Sequence, residues 1–310
     1  MRKVLSVMGI AVLVLIVGGS IVLRFLKSRP AVPARYTQEV ETGGAVEGKY
    51  MAMGGYEVSV YEEPAWQGFS KYTICYPTEL ETAGGTYPVI VVCNGSGTPV
   101  SKYLPVLKHL ASWGFIVMGT EEEYDWNGFG AEMCVRHLRR LHDRETTGDR
   151  ENVFYQTVDF DNVGIVGHSQ GGVGVLNAVT EQRHRELYKA AASLSPTNKE
   201  LAHELEWDYN AALADLPILL VAGAGGGDDW VVTGEQLQEI YSDMGSDKVM
   251  LRRRDTAHNE TLYAANGYVT AWFMWHLKGD AEASAAFTGD SPEIFVNSLY
   301  QDQQAELAGK

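Results

Sequence analysis

Ser169 is the residue whose surroundings most directly suggest chemistry. It lies in Gly167-His168-Ser169-Gln170-Gly171-Gly172, preceded by Val163-Gly164-Ile165-Val166 and followed by Val173-Gly174-Val175-Leu176-Asn177-Ala178. The order is an apolar strand, a G-x-S-x-G turn and a helix. Glycines on both sides of such a turn let strand and helix pack closely and hold the serine at a helix N-terminus, where developing negative charge is favoured. A serine held this way can attack an acyl carbon once a base takes its proton. The stretch lacks the G-K-[ST] ending of a phosphate loop, and it does not match a G-x-G-x-x-G dinucleotide turn.

The elements that must position Ser169 follow a regular plan. Tyr56–Tyr61 and Lys71–Tyr76 read as an opening antiparallel pair. Tyr87–Cys93, Phe115–Gly119, Val163–Val166, Ala190–Leu194, Ile218–Ala222 and Lys248–Arg252 read as later strands, several of them wholly apolar, as strands buried on both faces are. Helical patterns fall between them at Val100–Ser112, Gly130–Leu141, Gly172–Glu181, Gly234–Met244 and Gly267–Leu277. Alternating strands and helices predict an α/β fold: a mostly parallel sheet with helices on both faces. About twenty residues, Thr197 to Leu216, separate the fourth and fifth core strands, which leaves no room for a large lid domain.

Over roughly residues 55–280 the chain resembles the α/β-hydrolase family. Within it the chain looks most like the cutinase-like polyester hydrolases and dienelactone hydrolases. The residues behind this are Tyr87-Pro88-Val89-Ile90-Val91-Val92-Cys93-Asn94-Gly95-Ser96, Leu110-Ala111-Ser112-Trp113-Gly114-Phe115-Ile116-Val117, and the Gly-His-Ser-Gln-Gly-Gly elbow. The resemblance implies a triad in the order serine, acid, histidine, with no cofactor and no metal. His258, on the loop after Lys248–Arg252, stands where the family places its general base, and a pKa near neutrality suits histidine to that role. Two adjacent aspartates, Asp228 and Asp229, follow the strand Pro217–Ala222. Thr233-Gly234-Glu235-Gln236 reads as a capping box that opens a helix. The family spacing of four residues before that helix favours Asp229 over Asp228.

The same resemblance assigns the oxyanion hole to the backbone N–H groups of Ser96 and Gln170. Related polyester hydrolases often carry an aromatic residue where Ser96 stands, so a serine removes one wall of a flat aromatic cleft. Trp126, Trp230 and Tyr263 are candidates to line the substrate pocket, alongside Tyr124 and Phe129. The expected function is cleavage of a small-molecule or lipid-like carboxylic ester through an acyl-enzyme. Acyl transfer or amide cleavage would use the same residues, and a non-catalytic membrane-tethered binding module would keep only the scaffold.

Charge and composition narrow the remaining classes. With 45% hydrophobic and 21% charged residues the chain belongs with folded globular proteins. Beyond residue 30 it carries 20 basic and 40 acidic residues, a net of -20, which repels a phosphate backbone and argues against nucleic-acid binding. Cys75, Cys93 and Cys134 match no zinc spacing, and an odd number makes a poor disulfide framework. Residues 4–23 form an uncharged apolar run long enough to span a bilayer, bordered by Arg2, Lys3, Arg24, Lys27 and Arg29. We expect a single-pass anchor there with the body outside the cytoplasm; a cleaved signal is the rival reading. The expected division is an anchor at 1–30, a linker at 31–48, a catalytic domain at 49–288 and a C-terminal tail at 289–310.

Overall fold

The nine long strands of the computed structural model lie in one sheet, whose central strands are apolar runs too hydrophobic to leave either face in water. The structure describes residues 30–64, 70–82, 84–147 and 150–308. In chain order the strands are β1 (Val58–Pro64), β2 (Lys71–Pro77), β3 (Tyr87–Cys93), β4 (Ile116–Thr120), β5 (Val158–His168), β6 (Tyr188–Leu194), β7 (Ile218–Ala224), β8 (Lys248–Arg254) and β9 (Tyr300–Glu306). Across the sheet they run β1-β2-β4-β3-β5-β6-β7-β8-β9. The pairs from β4 through β3, β5, β6 and β7 to β8 are parallel; β1, β2 and β9 are added antiparallel at the two edges. This is the α/β-hydrolase fold, without a lid domain among the described residues.

Helices α1 (Tyr36–Glu39), α2 (Ala45–Met51), α3 (Leu104–Ser112), α4 (Phe129–His142), α5 (Gln170–Glu181), α6 (Lys199–Glu204), α7 (Gly234–Asp243), α8 (His258–Ala264) and α9 (Asn266–Lys278) cover the sheet. Of the five helices that periodicity predicts, four (α4, α5, α7 and α9) start and stop within two residues of the reading; α1, α2, α6 and α8 are not among those predicted. Pro105, at the second helical position of α3, limits the reading from Val100; Val100–Tyr103 is a 3₁₀ turn. Asn266–Met274 of α9 are buried throughout, as its apolar, aromatic sequence requires.

The chain departs from expectation at both ends. Residues 31–48 read as a linker because they are rich in polar residues, Pro and Gly. Instead Val32, Tyr36 and Glu47 are buried, and α2 lies against α9 so closely that a side chain on Gly267 would strike the Glu47 backbone. Residues 289–310 read as a tail. They supply a short helix, α10 (Glu293–Val296), and edge strand β9 paired with β8. Glu293 of α10 accepts the Val46 and Glu47 N–H groups, each at 2.8 Å, and so caps α2 from 246 residues away. Val32–Lys310 cluster as one compact unit. Residues 4–23, read as a membrane span, lie outside the described residues. Among the described residues no helix is long and apolar enough to cross a membrane.

Candidate active site

The elbow forms where β5 gives way to α5. A Cβ on Gly167 would meet the Gly171 carbonyl, and one on Gly171 would meet the Cys93 carbonyl, so neither position accepts a larger residue without a shift. Ser169 itself sits at φ 60°, ψ -123°, a conformation L-residues rarely adopt. Its N–H is held by the Leu194 carbonyl at 2.8 Å, and its carbonyl receives the Gly172 N–H at 2.8 Å. The strain is thus overdetermined by strand and helix, and the side chain stands at the head of α5.

His258 opens α8. Its Nε2 lies 2.9 Å from the Ser169 Oγ and its Nδ1 lies 2.6 Å from Asp228 Oδ1. A carboxylate can only accept, so Nδ1 carries the proton and Nε2 is free to accept from the serine hydroxyl. Asp228 is fully buried, and its second oxygen takes the Ser195 hydroxyl at 3.0 Å and the Gly223 N–H. Both of its oxygens thus face donors, and one of them is aimed at the imidazole.

The aspartate facing His258 is therefore Asp228, and the preference for Asp229 needs correction. Gly227, with φ 95°, opens a 3₁₀ turn over Asp228–Trp230. With three residues per turn, successive side chains point about 120° apart. Asp228 is turned inward while Asp229 is turned out to Arg252, its Oδ1 2.7 Å from Nη2. The capping box that anchored the count is present, with Gln236 N–H on Thr233 Oγ1 and Thr233 N–H on Gln236 Oε1. The turn between it and the strand holds one residue more than the family spacing assumed.

Gln170 and the turn that carries Ser96 lie against the serine. Gln170 is the first residue of α5, so its N–H has no helical partner behind it. A Cβ built on Gly95 would lie 3.7 Å from Ser169 Cβ and 2.9 Å from the His168 carbonyl, which brings the Asn94–Thr98 turn against the elbow. In that turn the N–H groups of Gly97 and Thr98 are taken by the Glu123 and Gly95 carbonyls. Asn94 fastens the turn by donating to the Thr120 and Glu122 carbonyls at 2.8 and 2.7 Å and accepting from the buried Tyr103 hydroxyl.

The rim candidates separate. Trp230 is 86% exposed on the acid turn. Trp126 is half-buried, its carbonyl accepting from Asn177 at 3.0 Å. The Tyr263 ring packs edge-on against Tyr36 of α1, 5.6 Å between centroids, so one side of it is taken by the N-terminal segment.

Four supporting residues escape sequence reasoning. His168 Nε2 donates to the His258 carbonyl at 2.7 Å and fixes the backbone of the histidine. Burial, with the neighbouring His258 charge second, lowers its pKa to about 3, so it is neutral. Ser195, φ 41°, holds Asp228. Asp125 donates its N–H to Gln170 Oε1 at 2.9 Å, and its carboxyl takes the Gly130 N–H at 2.7 Å and the Ala131 N–H at 3.2 Å at the start of α4. Arg252 reaches the acid turn from β8. Nothing local marks the role of any of them: each is one polar residue in a strand or in the turn after it, and only its distant partner gives it a role.

A family model described as "PET hydrolase-like" matches residues 42–296. The chain belongs to this family. It is 26% identical over 221 residues to a protein of Streptomyces coelicolor named "Bis(hydroxyethyl) terephthalate hydrolase", a match covering 69% of this chain and 64% of that protein. It is also 26% identical over 261 residues to "Cutinase est1" of Thermobifida alba, covering 81% of each. The family match takes in Ser169, Asp228 and His258, part of the segment first read as a linker, and α10 beyond the expected catalytic domain.

Proposed function

We propose that this member of the PET hydrolase-like family is a serine hydrolase of carboxylic esters. The observation that carries the reading is the hydrogen-bonded chain Ser169–His258–Asp228. Ser169 Oγ attacks the ester carbon as its proton passes to His258 Nε2. Asp228 holds the Nδ1–H and stabilises the imidazolium that results. The N–H groups of Gln170 and Ser96 receive the oxyanion at the head of α5. His258 returns the proton to the departing alcohol, and water, deprotonated by the same imidazole, releases the acid from Ser169. No step needs a cofactor. The two relatives named above carry names of ester hydrolases, in keeping with this reading.

For substrate we favour small soluble esters, with bis(hydroxyethyl) terephthalate as the first to test, since the Streptomyces relative is named for it. Ser96 supplies no aromatic wall against which a polymer chain could lie flat. We also propose that residues 4–23 tether the enzyme to a membrane as a single span with the body outside the cytoplasm, on the strength of their length and basic borders. A mature protein beginning near Ile21 by mass spectrometry would replace the tether with a cleaved signal.

The deciding experiment is Ser169→Ala, assayed on a nitrophenyl ester and on bis(hydroxyethyl) terephthalate. Turnover is expected to vanish with circular dichroism unchanged. More than a few per cent of wild-type turnover in the correctly folded variant would refute the assignment.

A further inference from the structure

We propose that Arg252 is the positioning residue of the triad acid, holding the turn that carries Asp228 in register with the strand that leads to His258. This rests on the serine-hydrolase reading above. Arg252 lies on β8, six residues before His258, with its side chain only 10% exposed. Its Nε donates to the Gly223 carbonyl at 3.1 Å. Gly223 is also the residue whose N–H is bonded to Asp228 Oδ2. Its Nη2 holds Asp229, the next residue along the turn, at 2.7 Å, and Nη1 reaches Asp302 of β9 at 3.4 Å. One guanidinium therefore grips the acid turn on both sides of Asp228 while standing on the strand that delivers the base. Room for it is made by Gly234, where a Cβ would lie 2.6 Å from Nη1.

The two carboxylate partners are well solvated, with side chains 65% and 45% exposed, so as ion pairs they add little stability. What the arrangement supplies is direction. The planar fork places three donors at fixed angles, which a lysine cannot imitate. Asp228 must hold the imidazole to within a fraction of an ångström, and a misplacement of about 1 Å in a catalytic group can cost about 100-fold in rate. The third arm makes the C-terminal strand, which sequence reading left as a tail, part of the support for the acid.

The test uses the full-length protein with Arg252→Gln and Arg252→Lys. The rate of Ser169 labelling by a fluorophosphonate and kcat and KM on a nitrophenyl ester are measured well below each melting temperature. We expect Arg252→Gln to lower kcat and the labelling rate by about 10- to 100-fold with KM within about twofold. Arg252→Lys should recover only part of the loss. If Arg252→Gln does not fold, Asp229→Asn/Asp302→Asn frees two of the three arms and should lower kcat several-fold at constant KM. Labelling and kcat within twofold of wild type in the folded variant, or a change in KM alone, would overturn the proposal. A wild type that is labelled but turns over no ester would instead refute the ester-hydrolase reading, and the labelling rates would still decide the role of Arg252.

Discussion

Arg252 and Arg253 are neighbours on β8, and because strand side chains alternate they serve opposite faces of the sheet. Arg252 grips the acid turn. Arg253 enters a cluster that sews the two ends of the chain onto the body. Its Nη1 lies 3.0 Å from Glu47 Oε1 and 3.1 Å from the Tyr300 hydroxyl, and its Nη2 donates to the Glu41 carbonyl at 2.6 Å. Glu47 is fully buried and further accepts from Tyr300 at 2.6 Å, from Asn297 at 2.8 Å and from the Gly43 N–H at 2.8 Å. Both regions are buried polar networks, but they end differently. The Glu47 network closes on itself. The network around Asp228 leaves one group open: Asp228 is fully buried, yet the His258 side chain keeps 18% exposure beside the serine. A closed network fixes which segments meet; an open one fixes how one proton moves.

The contrast is sharpest at Asp228. Asp228→Asn should lower kcat by about 10⁴ with little change in melting temperature, since an amide in that place offers the wrong partner to Nδ1–H. Asp229→Asn should cost far less. Steady-state kinetics of both variants check this, and the reverse ranking would mean that the turn is seated differently in solution.

Truncation separates the regions by stability. A protein beginning at residue 30 keeps every buried group of the body and should fold and turn over substrate as the full chain does. One beginning at residue 53 loses Tyr36, Glu47, Tyr50 and Met51, all essentially buried, with each large apolar side chain worth about 1.5–3 kcal/mol. It should fail to fold although no triad residue is touched. Expression and thermal melts of the two decide whether the N-terminal segment is structure or tether.

Glu47→Ala attacks the closed network at one point. It leaves the Arg253 guanidinium buried without its carboxylate, which costs about 3–5 kcal/mol. Denaturant midpoints should fall accordingly, while kcat per folded molecule at low temperature stays within about twofold. A fall in kcat without a fall in stability would show that the two networks communicate through β8.

The smallest expected effect concerns Asp125, which is held by backbone N–H groups where Glu47 is held by a guanidinium. Burial raises its pKa to about 7. The folded protein therefore keeps a proton that the unfolded carboxyl releases near pH 4. The unfolded state binds fewer protons between those values, so this group makes stability fall as pH rises from about 4 to about 7, by at most about 1.4 kcal/mol per pH unit. Asp125→Asn should flatten that slope, as measured by urea midpoints at pH 5 and pH 7. An unchanged slope would assign the dependence to another group.

Most of the fold, and the serine that faces His258, are legible along the chain because they rest on local patterns. A strand buried on both faces must be apolar residue after residue, as Val89–Cys93 is, and a strand-to-helix elbow needs small residues at fixed offsets, as Gly167 and Gly171 are. The capping box at Thr233 and the serine at the head of α5 belong to the same class. His258 was reached only through the order and spacing of a family. The aspartate that faces His258 is one of two adjacent candidates, and spacing along the chain favours the other.

What the sequence alone determined is thus the core strands, the helices between them and the serine that one of them presents, since hydrophobic period and turn chemistry act over a few residues. Tertiary structure decided which aspartate faces the histidine, because in a 3₁₀ turn a shift of one residue rotates the side chain by about a third of a circle. It also decided that residues 32–51 and 293–306 belong to the body. Their partners, Glu47 with Arg253 and Glu293 with the head of α2, lie more than 200 positions apart, and no local pattern records a hydrogen bond across that distance.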